Sequence, residues 1–254
     1  MGQELGAGVV DHVTGVCMMR NEADVAEAVV RHMLDECDTV LVADNESTDG
    51  TRGILLGIED PRLLVLDEPG FPYYQQPKMN RLAEQAAAEL GATWVVPFDA
   101  DEWWYAVDGR TIREKLSDVA ATVAVAETFN MVPQPTDEPD ANQFRSAIWA
   151  EEKRGMQKVA YRPGDGRVLA MGNHHLEGSH DQVGGLLAIR HLRYRSLEQA
   201  KAKLRWGKAA LEATDLSPHL GYHWRELGAM DDEQFAVWWH QFVHGSVLVK
   251  LPQL

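Results

Sequence analysis

The chain has 254 residues, 45% of them hydrophobic, enough for one large α/β domain with a sizeable core. Its formal net charge of −15 argues against a nucleic-acid or anionic-membrane surface. No stretch approaches the ~20 consecutive apolar residues that span a bilayer, and no basic-then-apolar leader opens the sequence, so a cytoplasmic protein without a transmembrane segment is expected.

Residues 1–11 read as a loose lead-in, and 13–19 as the first strand. Asn21, in Arg20-Asn21-Glu22, has the form of an N-cap for a helix over 22–35. Val25, Val29 and Met33 of that helix recur at four-residue spacing and face the sheet. Cys17 and Cys37 have neither zinc-site nor disulfide-framework spacing and are expected reduced and buried. A β-branched run over 39–43 is the second strand. It ends in Asp44-Asn45-Glu46-Ser47-Thr48-Asp49-Gly50-Thr51, a polar loop with several helix-capping residues. A short helix over 51–57 and a strand over 63–66 follow. Three prolines and three aromatics make 67–77 a loop, and an alanine-rich helix over 79–90 stops at Gly91.

The run Trp94-Val95-Val96-Pro97-Phe98 is short, bounded and apolar, as in a strand buried on both faces. It leads into Asp99-Ala100-Asp101-Glu102. Carboxylates one residue apart can point to the same side of an extended backbone, and they repel each other unless a cation lies beside them. Replacing Asp101 by Asn is therefore expected to relieve repulsion. Hard oxygen ligands at a strand end suit Mg²⁺ or Mn²⁺, ions that usually also hold a substrate phosphate. The bland reading is a solvated acidic turn. The alternation of strands and helices predicts a parallel sheet, whose ligands bind beyond the carboxyl ends of the strands. Arg20, Asp44, Asp99 and Asp101 all fall there.

The second half is less regular. A helix over 111–119 and a strand over 121–126 precede a proline-rich, acidic loop over 130–142. Strands are expected over 158–162 and 186–190, flanking Gly172-Asn173-His174-His175-Leu176-Glu177-Gly178-Ser179-His180. Ser196-Leu197-Glu198-Gln199 has the form of a capping box opening a helix to about residue 213. A last helix spans 232–244.

Four pieces, in order, carry a resemblance: Met19-Arg20-Asn21-Glu22, the loop from Val42 to Thr51, Lys78-Met79-Asn80-Arg81, and Phe98-Asp99-Ala100-Asp101-Glu102. With them the chain resembles the family 2 glycosyltransferases of the GT-A fold, best over 13–104 and less specifically through Arg195-Ser196. The implied fold is α/β: a GT-A, Rossmann-like, mostly parallel sheet flanked by helices, with a helical C-terminal part. The whole of 1–254 would be a single domain, with a nucleotide-sugar-binding half over 13–104, an acceptor half over 105–195 and C-terminal helices over 196–254.

The resemblance implies a nucleotide-sugar donor, Mn²⁺ or Mg²⁺, and inversion at the anomeric carbon. Asp44 would contact the nucleoside, which favours a UDP-sugar, with Arg20, Glu22 and Ser47 in the donor-binding set. The sequence has Asp-Asn-Glu-Ser where many members have Asp-Asp-Gly-Ser. Asp101 would bind the metal that bridges the diphosphate, with Asp99 beside it, closer to the ribose or sugar. Lys78 and Arg81 would be donor-side cations, or simply a solvated helix start. His174 and His175 are further metal-ligand candidates, because imidazole suits Mn²⁺. His180 and His191 rank below them.

An inverting transfer needs a base for the acceptor hydroxyl. The Glu-Asp or Asp-Asp pair that members often carry has no clear copy here. Glu127, at an expected strand end, is the choice for the base; Glu102 extends the acidic motif as a second catalytic candidate. Trp103, Trp104, Phe71, Tyr73 and Tyr74 form either an acceptor floor or ordinary core. Trp238-Trp239 is packing or a homodimer contact. The sequence thus predicts an inverting, metal-dependent glycosyltransferase acting on a small-molecule or saccharide acceptor. Its rivals are a nucleotidyltransferase and a non-catalytic nucleotide- or glycan-binding domain.

Overall fold

The computed structural model describes residues 10–134, 144 and 147–252. Residues 1–9 of the expected lead-in and most of the expected loop over 130–142 lie outside them. In the first hundred residues the alternation is as expected: β1 (Val13–Met19), α1 (Ala26–Glu36), β2 (Thr39–Asp44), α2 (Thr51–Leu56), β3 (Leu63–Asp67), α3 (Gln75–Leu90) and β4 (Trp94–Pro97). β1 lies parallel between β2 and β4, and β3 lies parallel to β2. Successive strand residues enter opposite cores, as the period of two requires. Cys17, Val40, Val42, Trp94 and Val96 meet Val29, Val30 and Met33 of α1 on one face. Val16, Leu41 and Val95 meet Met79, Leu82 and Ala86 of α3 on the other. Burial on both faces is why these strands read as continuous apolar runs. Both cysteines are free and buried.

Two helix starts differ from expectation. α1 begins at Ala26 without a side-chain cap. Asn21 has φ 54°, outside the extended geometry of an N-cap. Its Oδ1 instead accepts from the Thr48 backbone N–H at 2.7 Å, tying the exit of β1 to the loop after β2. α3 begins four residues before the expected start, taking Pro77 into its first turn. Proline is tolerated there because first-turn N–H groups have no intrahelical acceptor. Gly91, at φ 71°, ends α3 in the left-handed conformation that glycine adopts without strain.

The second half contains β5 (Glu102–Ala106), α4 (Ile112–Leu116), β6 (Val123–Asn130), β7 (Trp149–Glu151), β8 (Lys158–Tyr161), β9 (Val168–Leu169), a 3₁₀ turn (Met171–Asn173), β10 (Leu176–Glu177) and β11 (Gln182–His191). α5 (Leu197–Glu212), α6 (Tyr222–Leu227), α7 (Asp232–Gly245) and β12 (Leu248–Lys250) complete it. The main sheet has eight strands in the order β3-β2-β1-β4-β8-β6-β11-β5. β8 runs antiparallel to β4 and β6, and β11 runs parallel to β6 and antiparallel to β5. Six strands therefore point one way, with β8 and β5 reversed. The architecture is the expected mixed α/β one, a mostly parallel sheet flanked by helices with a helical C-terminal part.

The acidic turn joins β4 to β5, four places away in the sheet. Four interstrand steps would cover about 19 Å in a flat sheet. The connection is a turn closed by Glu102 N–H donating to the Asp99 carbonyl at 3.1 Å, and a turn's ends lie within about 7 Å. The sheet must therefore curl, and the curl draws the ends of β4, β6 and β11 and the starts of β8 and β5 around the acids.

The C-terminal helices have a separate small core of Tyr194, Ala200, Leu204, Phe235 and Phe242. Ser196 Oγ accepts from Gln199 N–H as the capping box predicts. The reciprocal arm reaches one residue further upstream: Gln199 Oε1 accepts from Arg195 N–H at 3.1 Å. Trp238 stacks on Phe242 with Trp239 beside them, and both tryptophans are partly buried against this core.

Candidate active site

β1, β2, β4, β6 and β11 all end at one rim, where reversed β5 and β8 begin. Lys158, the first residue of β8, has its ammonium 2.5 Å from Asp99 Oδ2 and 2.6 Å from Glu102 Oε1. Glu102 Oε2 accepts from the Asp99 backbone N–H and the Trp104 indole, each at 3.1 Å. Lys203, from the second turn of α5, lies 2.5 Å from Asp101 Oδ2 and 3.0 Å from Glu22 Oε1. Arg195 reaches Glu22 at 2.5 Å and Asp24 at 2.7 Å. His191, at the end of β11, places Nε2 3.5 Å from Asp101 Oδ2. Two ion chains result, Asp99–Lys158–Glu102 and Asp101–Lys203–Glu22–Arg195–Asp24.

Burial and charge compete throughout the cluster. Burial disfavours ionised Asp101, yet Lys203, His191 and Arg195 hold its carboxyl well below the usual range. For Glu102, burial prevails over Lys158 and pushes its carboxyl up. Burial opposes the charge of Lys158, but Asp99 and Glu102 outweigh it and raise its affinity for the proton. Asp101 and Glu22 do the same for Lys203.

The donor-side candidates fall into two groups. Asp44 ends β2, buried, with Oδ2 accepting from Ser47 N–H at 3.3 Å; its Oδ1 is buried without a hydrogen-bond partner. Arg20 lies beside it, donating from NH1 to the Asn45 carbonyl at 2.7 Å. Its guanidinium faces the rings of Phe71 and Trp206. Lys78 and Arg81 belong to a neighbouring cluster. Lys78 Nζ donates to the Gly70 carbonyl at 2.8 Å, and both side chains pair with buried Glu68. Burial pulls the Lys78 ammonium below its usual range.

In the histidine loop, Asn173 rather than either histidine donates to Asp99, Nδ2 to Oδ1 at 3.4 Å. Asn173 is held at φ 60° after Gly172 at φ 76°. His174 hydrogen-bonds through Nδ1 to the Gln157 carbonyl at 2.9 Å, and burial favours its neutral form. His175 is exposed. Glu127 is an exposed residue three positions before the end of β6, so the expected strand-end placement is corrected. Trp103 and Trp104 are core residues of β5, with Trp103 stacked on His32 at 3.7 Å. That corrects an acceptor-floor placement: the β5 strand turns both rings into the packed interior. Phe71 and Tyr73 instead pack toward α5 and α6, against Trp206 and Trp224.

A divalent cation needs oxygen donors free to turn toward it. Asp99, Asp101, Glu102 and Glu22 each already face a lysine ammonium, and His174 is engaged elsewhere. Among the described residues, no three His, Cys, Asp or Glu side chains converge as a metal-ligand set. The donor set therefore does not fit the expected Mn²⁺ or Mg²⁺. Sequence reasoning missed Lys158, Lys203 and Asn173. The one available signal for Lys203 is its place seven residues after Ser196, on a helix whose start was legible.

No protein-family model and no curated protein sequence matches the chain. Among solved structures, TarS 1–349 of S. aureus in complex with UDP-GlcNAc is similar with a TM-score of 0.44, at 12% identity over 91% of this chain and 72% of that one. HddC from Yersinia pseudotuberculosis is similar with a TM-score of 0.40, at 8% identity over 67% of this chain and 88% of that one. The 4-diphosphocytidyl-2C-methyl-D-erythritol synthase of Anaerococcus prevotii gives 0.37, at 10% identity over 61% and 72%. These are likenesses of backbone; what the site can do rests on its own side chains.

Proposed function

We propose that the chain is a glycosyltransferase that takes a nucleoside-diphosphate sugar, with UDP favoured, and passes the sugar with inversion to a small-molecule or saccharide acceptor. The observation that carries this reading is Asp44. Its Oδ1 is buried at the tip of β2 with no partner, and an orphaned buried acceptor is costly unless a ligand donor completes it. One free acceptor suits the single N–H of the uracil edge. Guanine presents adjacent donors that call for two acceptors, and Asp44 Oδ2 is already engaged by Ser47. The motifs at Arg20 to Glu22, Asp44 to Thr51 and Asp99 to Glu102 support the reading, because each begins at or just after the end of a strand at the same rim.

In the transfer, the acceptor oxygen attacks the anomeric carbon opposite the nucleotide. The bond from that carbon to the diphosphate breaks, its electron pair leaves with the diphosphate, and the acceptor proton passes to a base. Fixed positive charge beside the leaving diphosphate stabilises the charge that develops there.

The test is release of nucleoside diphosphate from a panel of nucleotide sugars, together with calorimetric titration of UDP, GDP and ADP. UDP should bind about tenfold more tightly than either purine nucleotide, and Asp44→Ala should abolish that preference. Equal affinities would remove the role given to Asp44. UDP binding without release from any sugar would leave a binding domain, and pyrophosphate release from a nucleoside triphosphate would mark a nucleotidyltransferase.

A further inference from the structure

We propose that Lys203 supplies the positive charge for the donor's diphosphate, so that nucleotide binding needs no divalent cation. The inference rests on the nucleotide-sugar reading and names the residue that would do the work usually expected of a metal. Acids in a D-x-D pattern need a counter-charge, and here the chain provides it. Each lysine ammonium bridges two carboxylates: Lys158 bridges Asp99 and Glu102, and Lys203 bridges Asp101 and Glu22.

The two lysines are not equivalent. The side chain of Lys158 is 4% exposed, and that of Lys203 is 19% exposed. An ammonium has three N–H donors. Lys203 commits two, to Asp101 and Glu22, and keeps a third that can reach a ligand oxygen. Its position is fixed from behind. Leu204, the next residue on α5, is buried in the C-terminal core, and Arg195 pins the start of the helix to Glu22 and Asp24. Asp101 and Glu22 then serve to hold the ammonium charged and in place, and Lys158 is a positioning residue that secures Asp99. A second cation stands nearby at the tip of β1: the Arg20 guanidinium has a buried Nε–H without a partner.

The nucleotide panel cannot separate this inference from metal dependence, but titrating UDP in EDTA and again in Mn²⁺ can. The wild-type dissociation constant should agree within about twofold between the two. Lys203→Ala should weaken binding at least about tenfold in EDTA. It also removes the ammonium between Asp101 and Glu22, leaving Glu22 to Arg195 and Asp101 to His191, so Mn²⁺ should restore binding to that variant by taking the ammonium's place while leaving the wild type unchanged. Lys203→Arg keeps the charge and should bind UDP in EDTA. Wild-type binding that appears only with Mn²⁺ overturns the proposal, as does Lys203→Ala binding in EDTA at wild-type strength. The wild-type and Lys203→Arg arms decide the matter should Lys203→Ala not fold. Absence of UDP binding to the wild type in both media overturns the nucleotide reading itself, and the inference falls with it.

Discussion

Removing the charge of Asp101 leaves the Lys203 ammonium buried with Glu22 as its remaining carboxylate partner. Sequence logic expects Asp101→Asn to relieve repulsion among neighbouring acids; the ion pairs reverse that expectation. Breaking a buried pair from one side costs about 3–5 kcal/mol, so Asp101→Asn should be destabilised by about that amount at pH 7. The pH dependence has a definite sign. The folded carboxyl of Asp101 titrates below the usual range, so its stabilisation is present above the unfolded value of about 3.9 and is lost as pH falls through the folded value. The wild-type and variant stabilities should therefore converge in acid. Urea unfolding of both proteins at pH 7 and in steps downward from about pH 4 measures this. A variant as stable as the wild type at pH 7 would mean that Lys203 does not depend on Asp101.

At the scale of elements, Gly207 shows how closely the C-terminal helices are fitted to the site. A Cβ at this position on α5 would lie 2.0 Å from Cε3 of Trp224 on α6. Trp224 in turn packs on Tyr73 of the loop after β3. Gly207→Ala should overpack the α5–α6 contact, costing about 1–3 kcal/mol despite alanine's better helix propensity, and should loosen the loop that carries Tyr73. Thermal melting with hydrogen exchange over 67–74 reads both effects; an unchanged melting temperature would show that α6 is free to move away.

The same scale shows what was legible in the sequence. The strands and helices of the first hundred residues, and the Gly91 stop of α3, could be read because each depends on local periodicity or on residues a few positions apart. Asn21 misled because an Asn before a Glu looks like a local cap, whereas its partner lies 27 positions downstream. β5 was hidden because its aromatic run has no alternation and its partner, β11, is distant in sequence. The ion partners of the site's lysines were not legible. Lys158 meets Asp99 across 59 positions, and Lys203 meets Asp101 across 102. No local pattern encodes such pairings; the curl of the sheet and the docking of α5 create them.

Across the whole molecule, the sheet and the C-terminal helices bury different cores, joined by ions, by one short strand pair and by the packing of Phe71 and Tyr73 on Trp206 and Trp224. Arg195 is the buried tie from the helical side, reaching Glu22 and Asp24 after β1. β12 returns the chain's end to β7. Such an arrangement has two units that can open with different free energies. Arg195→Ala removes that tie and leaves Glu22 with Lys203 as its remaining ion partner among the described residues. The loss should fall on the docking of α5, α6 and α7 more than on the sheet. Two probes separate these responses. Amide exchange over 197–245 reports the helices, and Cys17 and Cys37, both fully buried in the sheet core, report the sheet through their reaction with a thiol reagent. In Arg195→Ala the helical amides should exchange at least about tenfold faster than in the wild type, since even 1.4 kcal/mol of lost docking free energy is a factor of ten, while both thiols keep their wild-type labelling rate. Equal acceleration of amides and thiols would show that sheet and helices unfold as one cooperative unit, with the ion network binding them too tightly for the helices to open alone.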